Sequence, residues 1–108
     1  MIQIHSSKHE GRVVLKLSGE LTIYEASEAW HDLHVRQENH PDLALDLSGV
    51  ANIDTAGVQV LYWLKRNARE HGHSLTIQHH SAAVMEVFDQ LNLASAFEDP
   101  ILLSPSGS

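Results

Sequence analysis

The segment Asp54-Thr55-Ala56-Gly57 sets an acid and a hydroxyl side by side, after a short apolar run and ahead of apolar residues at helical spacing. Asp and Thr are both good N-cap types, because a side-chain oxygen at that position accepts from a backbone N–H of the first turn. The remaining orphan N–H groups and the positive end of the helix dipole make such a start attractive to an anion. Residue type alone leaves two readings open. Either Asp54 or Thr55 caps the helix and does nothing more, or Thr55 is a phosphoacceptor. A phosphate there would add about 1.5 to 2 negative charges and three acceptor oxygens to the surface.

Other side chains with chemical potential do not assemble into a pattern. The nine histidines include His71, His73, His79 and His80, but their spacing is not that of a zinc site, and Cys is absent. The expectation is therefore no metal and no cofactor. Asp46 and Asp54 could act as paired carboxylates in a small acid/base hydrolase, yet eight positions across a strand end and a loop do not bring them together by spacing. The lysines are Lys8, Lys16 and Lys65, so no late-strand lysine is available for a phosphoaspartate receiver. The six glycines make neither a Walker nor a dinucleotide spacing. No catalytic residue is assigned.

The elements that must position Thr55 follow from periodicity. Ile2 and Ile4 alternate with polar residues, Lys8-His9-Glu10-Gly11 reads as a turn, and Val13, Leu15 and Leu17 alternate again, which predicts an opening β-hairpin. Thr22-Ile23-Tyr24-Glu25 has capping-box spacing, with the Thr22 hydroxyl expected to accept from the Glu25 N–H and the Glu25 carboxylate to reach back. A helix is predicted to follow, burying Ile23, Ala26, Trp30 and Leu33, and to end at Asn39-His40-Pro41. Leu43 to Leu47 form a strand that loosens at Ser48-Gly49. A second helix runs from Ala56 to His71 on a stripe of Gly57, Leu61, Leu64 and Ala68, stopped by Gly72. Leu75-Thr76-Ile77 is the last strand, and Ser81 caps a third helix with Val84, Val87, Phe88 and Leu91 inward. This order predicts an α/β fold with a mixed, mostly parallel sheet and right-handed crossovers.

At 108 residues, 43% hydrophobic and 19% charged, the chain suits one domain able to bury roughly two-thirds of its unfolded surface without staples. The domain is expected over 1–99, with 100–108 a flexible tail. A net charge of −7 argues against a phosphate-backbone binder, so nucleic acid is not an expected partner. The longest apolar run, Val60 to Leu64, falls far short of the roughly 20 residues of a spanning helix, and the first residues lack an apolar signal core. No direct membrane insertion and a cytoplasmic location are the expectations.

On the second helix, about 100° per residue sets Thr55, Gln59, Tyr62, Trp63 and Arg66 opposite the apolar stripe. Asp54, Thr55, Ala56, Gln59, Tyr62 and Trp63 form the candidate partner-binding patch, since Tyr and Trp are enriched at interface hot spots. Trp63 could instead cover the sheet margin. Arg66 lies roughly 16 Å along the axis from Thr55, too far to clamp a phosphate on it.

Asp46 to Leu61 resembles the central motif of STAS domains, named for sulfate transporters and anti-sigma factor antagonists, where a strand leads into Asp-Ser/Thr-x-Gly at a helix start. Ser18-Gly19-Glu20-Leu21 resembles the Gly-Glu-Leu-Asp segment of the same family, and the likeness extends over 1–99. The resemblance implies a STAS-like sheet with helices mainly on one face and a non-catalytic regulatory module. It also implies that Thr55 is the phosphoacceptor and Asp54 the preceding acid. Thr22 stands where the antagonists usually have Asp, and the acceptor is Thr rather than the commoner Ser. In the antagonist branch the implied partners are an anti-sigma factor or other protein kinase and a phosphatase. Asp-Thr-x-Gly is similar also to small cytoplasmic subunits of ABC-type lipid transport systems, where the partner is an ATPase or permease.

Overall fold

The computed structural model describes residues 2–91. Strands β1 (Ile2–His9) and β2 (Arg12–Leu21) form the predicted hairpin, turned by Glu10 and Gly11, both at positive φ (54° and 81°). Two consecutive positive-φ residues twist a two-residue turn in the same sense as its strands. Helix α1 (Ala26–Asn39), strand β3 (Asp42–Ile53), helix α2 (Thr55–Glu70), strand β4 (Ser74–Gln78) and helix α3 (Ala82–Leu91) follow. The sheet order is β1-β2-β3-β4, antiparallel at the first pair and parallel at the other two. The fold is the expected α/β arrangement with a mixed, mostly parallel sheet.

Pairing fixes which side chains share a face. Val13 and Leu15 lie opposite Leu43 and Leu45, which lie opposite Leu75 and Ile77. This face joins Leu33 of α1, Leu61 and Leu64 of α2, and Val84 and Phe88 of α3 in one buried core. At about 25 cal/mol per Å² of apolar surface removed from water, such a leucine-dense layer is the main stabiliser of the fold. Alternate residues point the other way, and there His5 and Lys16 are exposed. Across that open face Arg12 pairs with Asp42 at 2.9 Å and donates to the Thr76 hydroxyl, so one side chain ties three strands over the buried Ala44.

Strand β3 continues through Ser48-Gly49 rather than breaking, with the loosening expressed as register shifts against β2. A Cβ on Gly49 would stand 2.9 Å from the Leu17 carbonyl oxygen, so the shifted backbones close to a distance only glycine admits. Ser81 caps α3 as expected, its hydroxyl accepting from the Val84 N–H at 3.2 Å.

The start of α1 differs from the sequence reading. Residues 22–25 form a turn, and the helix begins at Ala26 with Glu25 in the capping position. The Glu25 carboxylate does reach back to the Thr22 N–H (3.0 Å), but the Thr22 hydroxyl donates to that carboxylate (2.7 Å) while the Glu25 N–H goes to the Thr22 carbonyl (2.9 Å). The capping-box residues thus close a turn one step before the helix. Ile23 is consequently 67% exposed rather than on the buried stripe, which is formed by Ala29, Leu33 and Gln37. Leu91, expected inward on α3, is exposed as well, because the buried contacts of that helix come from Val84 and Phe88. The expected tail, 100–108, and the expected domain end at 99 lie outside the described residues.

Candidate functional site

Asp54 is where β3 meets α2, and both of its carboxylate oxygens are engaged. One oxygen accepts from the Gly57 N–H at 3.1 Å, the N-cap bond of α2, and the other accepts from the Ile23 N–H at 2.9 Å. A single acid therefore fastens the start of α2 to the 22–25 turn. Its own N–H reaches the Leu21 carbonyl at 3.4 Å, so the ends of β2 and β3 are tied at the same place. Of the two capping candidates, Asp54 is the cap.

That assignment leaves Thr55 as the first residue of the helix proper, exposed, with no hydrogen bond to its hydroxyl among the described residues. Gly57 explains the fixed offset from Asp54. A Cβ there would stand 2.1 Å from the Leu21 carbonyl oxygen and 2.8 Å from the Ile53 side chain, so the first turn of α2 sits directly on the strand ends. Tight seating and the Asp54 bonds together hold the backbone at Thr55 in place, and the residue is exposed there.

Along α2, Gln59 and Tyr62 are exposed on the same side as Thr55, and Ala56 is half-buried. Trp63 is 43% exposed, and its ring meets the edge of Trp30 on α1 at a centroid distance of 5.8 Å and an interplanar angle of 74°. Trp30 in turn stacks on His34 at 4.7 Å. Trp63 is thus part of the α1–α2 seam as well as of the outer surface, rather than a cover for the sheet margin. Within that seam Gln37, 1% exposed, donates to the Leu64 carbonyl and accepts from Asn67, which fixes the angle at which α2 leaves the strand ends.

Two residues beside Thr55 escaped the sequence reading as site residues. Ile23 and Tyr24, 67% and 91% exposed, project from the turn that Asp54 holds. The capping-box spacing was the available signal, but it pointed to a helix and therefore to burial of Ile23. The hydrogen bond from the Thr22 hydroxyl is the main reason the Glu25 carboxyl is lowered to about 2, so this turn is closed by an ionised carboxylate.

Asp46 belongs to a different surface. Burial pushes its pKa up, but hydrogen bonds from the Ser48 N–H and hydroxyl, with His79 and Lys16 nearby, outweigh this and leave it below the usual value. Eight strand residues at about 3.3 Å each put roughly 25 Å of chain between it and Asp54. The structure does not bring these two carboxylates together. Among the described residues no three His, Cys, Asp or Glu side chains converge on a point where a metal ion could bind. His71 and His73 flank a turn with rings 6.0 Å apart, and the His71 Nδ1 is engaged by the Asn67 carbonyl at 2.8 Å. No helix among the described residues is long and apolar enough to cross a membrane.

A sheet of this order, its helices gathered mainly on one face and an Asp-capped helix presenting a free hydroxyl at the strand ends, defines a class of small α/β domains. The family model described as Mlab, STAS domain, matches residues 4–103, and the chain belongs to that STAS family. Solved structures agree on the fold. The anti-sigma factor antagonist SpoIIAA in its unphosphorylated form superposes with a TM-score of 0.68 at 17% identity, over 98% of this chain and 89% of that one. The Bacillus cell fate determinant SpoIIAA in its phosphorylated form gives 0.66 at 17% identity, over 98% and 92%. An anti-sigma factor antagonist from Mycobacterium paratuberculosis gives 0.71 at 19% identity, over 98% and 87%. No curated protein sequence matches the chain.

Proposed function

We propose that this protein is a non-catalytic, protein-binding regulatory module of the anti-sigma factor antagonist type, switched by phosphorylation of Thr55. The observation that carries the reading is the division of labour at the start of α2. Asp54 takes the cap, so the Thr55 hydroxyl has no structural duty and stands exposed in a rigid frame. Structural likeness to SpoIIAA, a protein solved in unphosphorylated and phosphorylated forms, supports it. A partner kinase would transfer the γ-phosphoryl group of ATP to the Thr55 oxygen, with the hydroxyl proton leaving to a base on the kinase and ADP released. A phosphatase would reset the hydroxyl. A cytoplasmic location goes with this reading, because the kinase draws on ATP.

Unmodified Thr55, with Asp54, Ala56, Gln59, Tyr62 and Trp63, forms the partner-binding patch. A dianion at its centre has to be desolvated when the patch is covered, and that cost releases a partner fitted to the bare hydroxyl. The test is the intact mass of the protein from its native cells with site mapping, run beside a pull-down of wild type, Thr55→Ala and Thr55→Glu. Expected are an 80 Da addition on Thr55 and a partner kept by the Ala variant but lost from the Glu variant. Absence of the modification, with an ATPase or permease retained by all three, would instead assign the protein to a transport assembly and leave Thr55 as ordinary helix surface.

A further inference from the structure

The charged side chains are sorted by end of the molecule. At the end where β2 and β3 finish, the 22–25 turn, the first turn of α1 and Thr55 come together. Residues 17–31 carry Glu20, Glu25 and Glu28 and no Lys or Arg, and residues 47–64 carry Asp54 and again none. Three cations, Lys8, Arg12 and Lys16, lie on the β1–β2 hairpin. The other four, Arg36, Lys65, Arg66 and Arg69, lie in the second halves of α1 and α2, the nearest about 15 Å along the helix from Thr55. Several are already committed: Arg12 to Asp42, Arg36 to Asp32 and Arg66 to Glu70. The Thr55 end therefore presents a net negative field, with the N-terminal ammonium beside Glu25 and no Lys or Arg within it among the described residues.

From this acidic end project Tyr24 and Ile23, the two most exposed large apolar side chains among the described residues. They are held by backbone bonds rather than by burial, Ile23 through its N–H to Asp54 and the turn through Thr22 and Glu25. An apolar pair on a turn that is already fixed loses little conformational freedom when it is covered. We infer that this end docks a protein partner whose contact surface is an apolar cleft edged by Lys and Arg, with Ile23 and Tyr24 entering the cleft. The inference rests on the proposed reading of this face as a protein-binding patch, and it concerns the protein with Thr55 unmodified. The acidic surround sets the rate of encounter, and the Ile23–Tyr24 anchor sets how long the complex lasts.

The test uses the unmodified full chain, immobilised and panned against a library of displayed random 12-residue peptides. One enriched peptide is then synthesised and titrated by fluorescence anisotropy against wild type, Ile23→Ala, Tyr24→Ala and, as a control at the far end of α1, Val35→Ala. Far-UV circular dichroism and melting curves show that each variant is folded. Enriched peptides are expected to set aliphatic or aromatic residues between Lys and Arg. Binding should weaken at least about tenfold in Tyr24→Ala and several-fold in Ile23→Ala, remain unchanged in Val35→Ala, and fall steeply as salt rises. A library without binders, binders lacking basic flanks, or binding indifferent to Ile23 and Tyr24 overturns the inference. Because no phosphate enters the titration, its failure leaves the Thr55 switch standing, and failure of the switch leaves the cleft standing.

Discussion

At the scale of single residues, Asp54 does the work of two contacts with one carboxylate. Asp54→Ala removes the acceptor of both the Gly57 and the Ile23 N–H, and by the usual worth of an N-cap and of a second lost acceptor it should cost about 2 kcal/mol in urea unfolding. Asp54→Asn keeps an oxygen for Gly57 but turns an amide N–H toward the Ile23 N–H, so its loss should fall between wild type and Ala. Glu25 gives a pH signature. Its carboxyl is lowered to about 2, chiefly by the Thr22 hydroxyl, from the 4.5 expected without partners. A depressed carboxyl stabilises the fold fully above the unfolded pKa, and that contribution is lost as pH falls toward the folded value. Wild type should therefore lose stability between about pH 4.5 and pH 2 more steeply than Glu25→Gln, which should start out less stable at neutral pH. Parallel acid limbs in denaturant melts would contradict this.

Among the elements, the placement of α2 depends on two unlike devices. At its start, Gly57 lets the helix rest on the Leu21 carbonyl, and a Cβ has no room because the obstacle is backbone rather than a side chain that can turn away. Gly57→Ala should cost about 3 kcal/mol by overpacking, against its gain in helix propensity, and should shift the amide resonances of Ile23 and Thr55. Farther along, Gln37 binds α1 to α2 through the Leu64 carbonyl and Asn67. Gln37→Leu keeps the volume but leaves Asn67 without its acceptor, and about 1 to 3 kcal/mol should be lost in equilibrium unfolding. The open sheet face is less demanding, since apart from Ala44 its side chains are exposed or half-buried, and Arg12 bridges strands there.

For the molecule as a whole, the core is a leucine layer between one sheet face and three helices, and β3 runs through its centre. Leu45, fully buried, lies opposite both Leu15 and Ile77. Leu45→Ala should cost about 3 kcal/mol and lower the midpoint of a single cooperative transition, because the cavity opens where all layers meet. Charge is organised at this scale too, with the Lys- and Arg-free end carrying Thr55 and the cations held at the hairpin and the distal helix halves. No local window of sequence displays that sorting until the parallel pairing of β2 and β3 brings their ends at Leu21 and Ile53, the 22–25 turn and Thr55 together.

The sequence by itself determined the hairpin, the alternation of strands and helices, the parallel sheet and the Asp54-Thr55-Ala56-Gly57 motif, because each is written in short-range periodicity and in residues whose backbone preferences are strong. It left open whether Asp54 or Thr55 caps α2. That was decided by the Ile23 N–H, thirty-one positions away, which takes the second carboxylate oxygen. The exposure of Ile23 and Tyr24 was likewise undecided locally, since Thr22 and Glu25 have the spacing of a helix start whether they begin the helix or close a turn before it. Only the strand ends, meeting at Leu21 and Asp54, fix the chain in the turn and set its apolar residues outward. The need for glycine at position 57 has the same origin, a backbone carbonyl from another strand occupying the space of a Cβ.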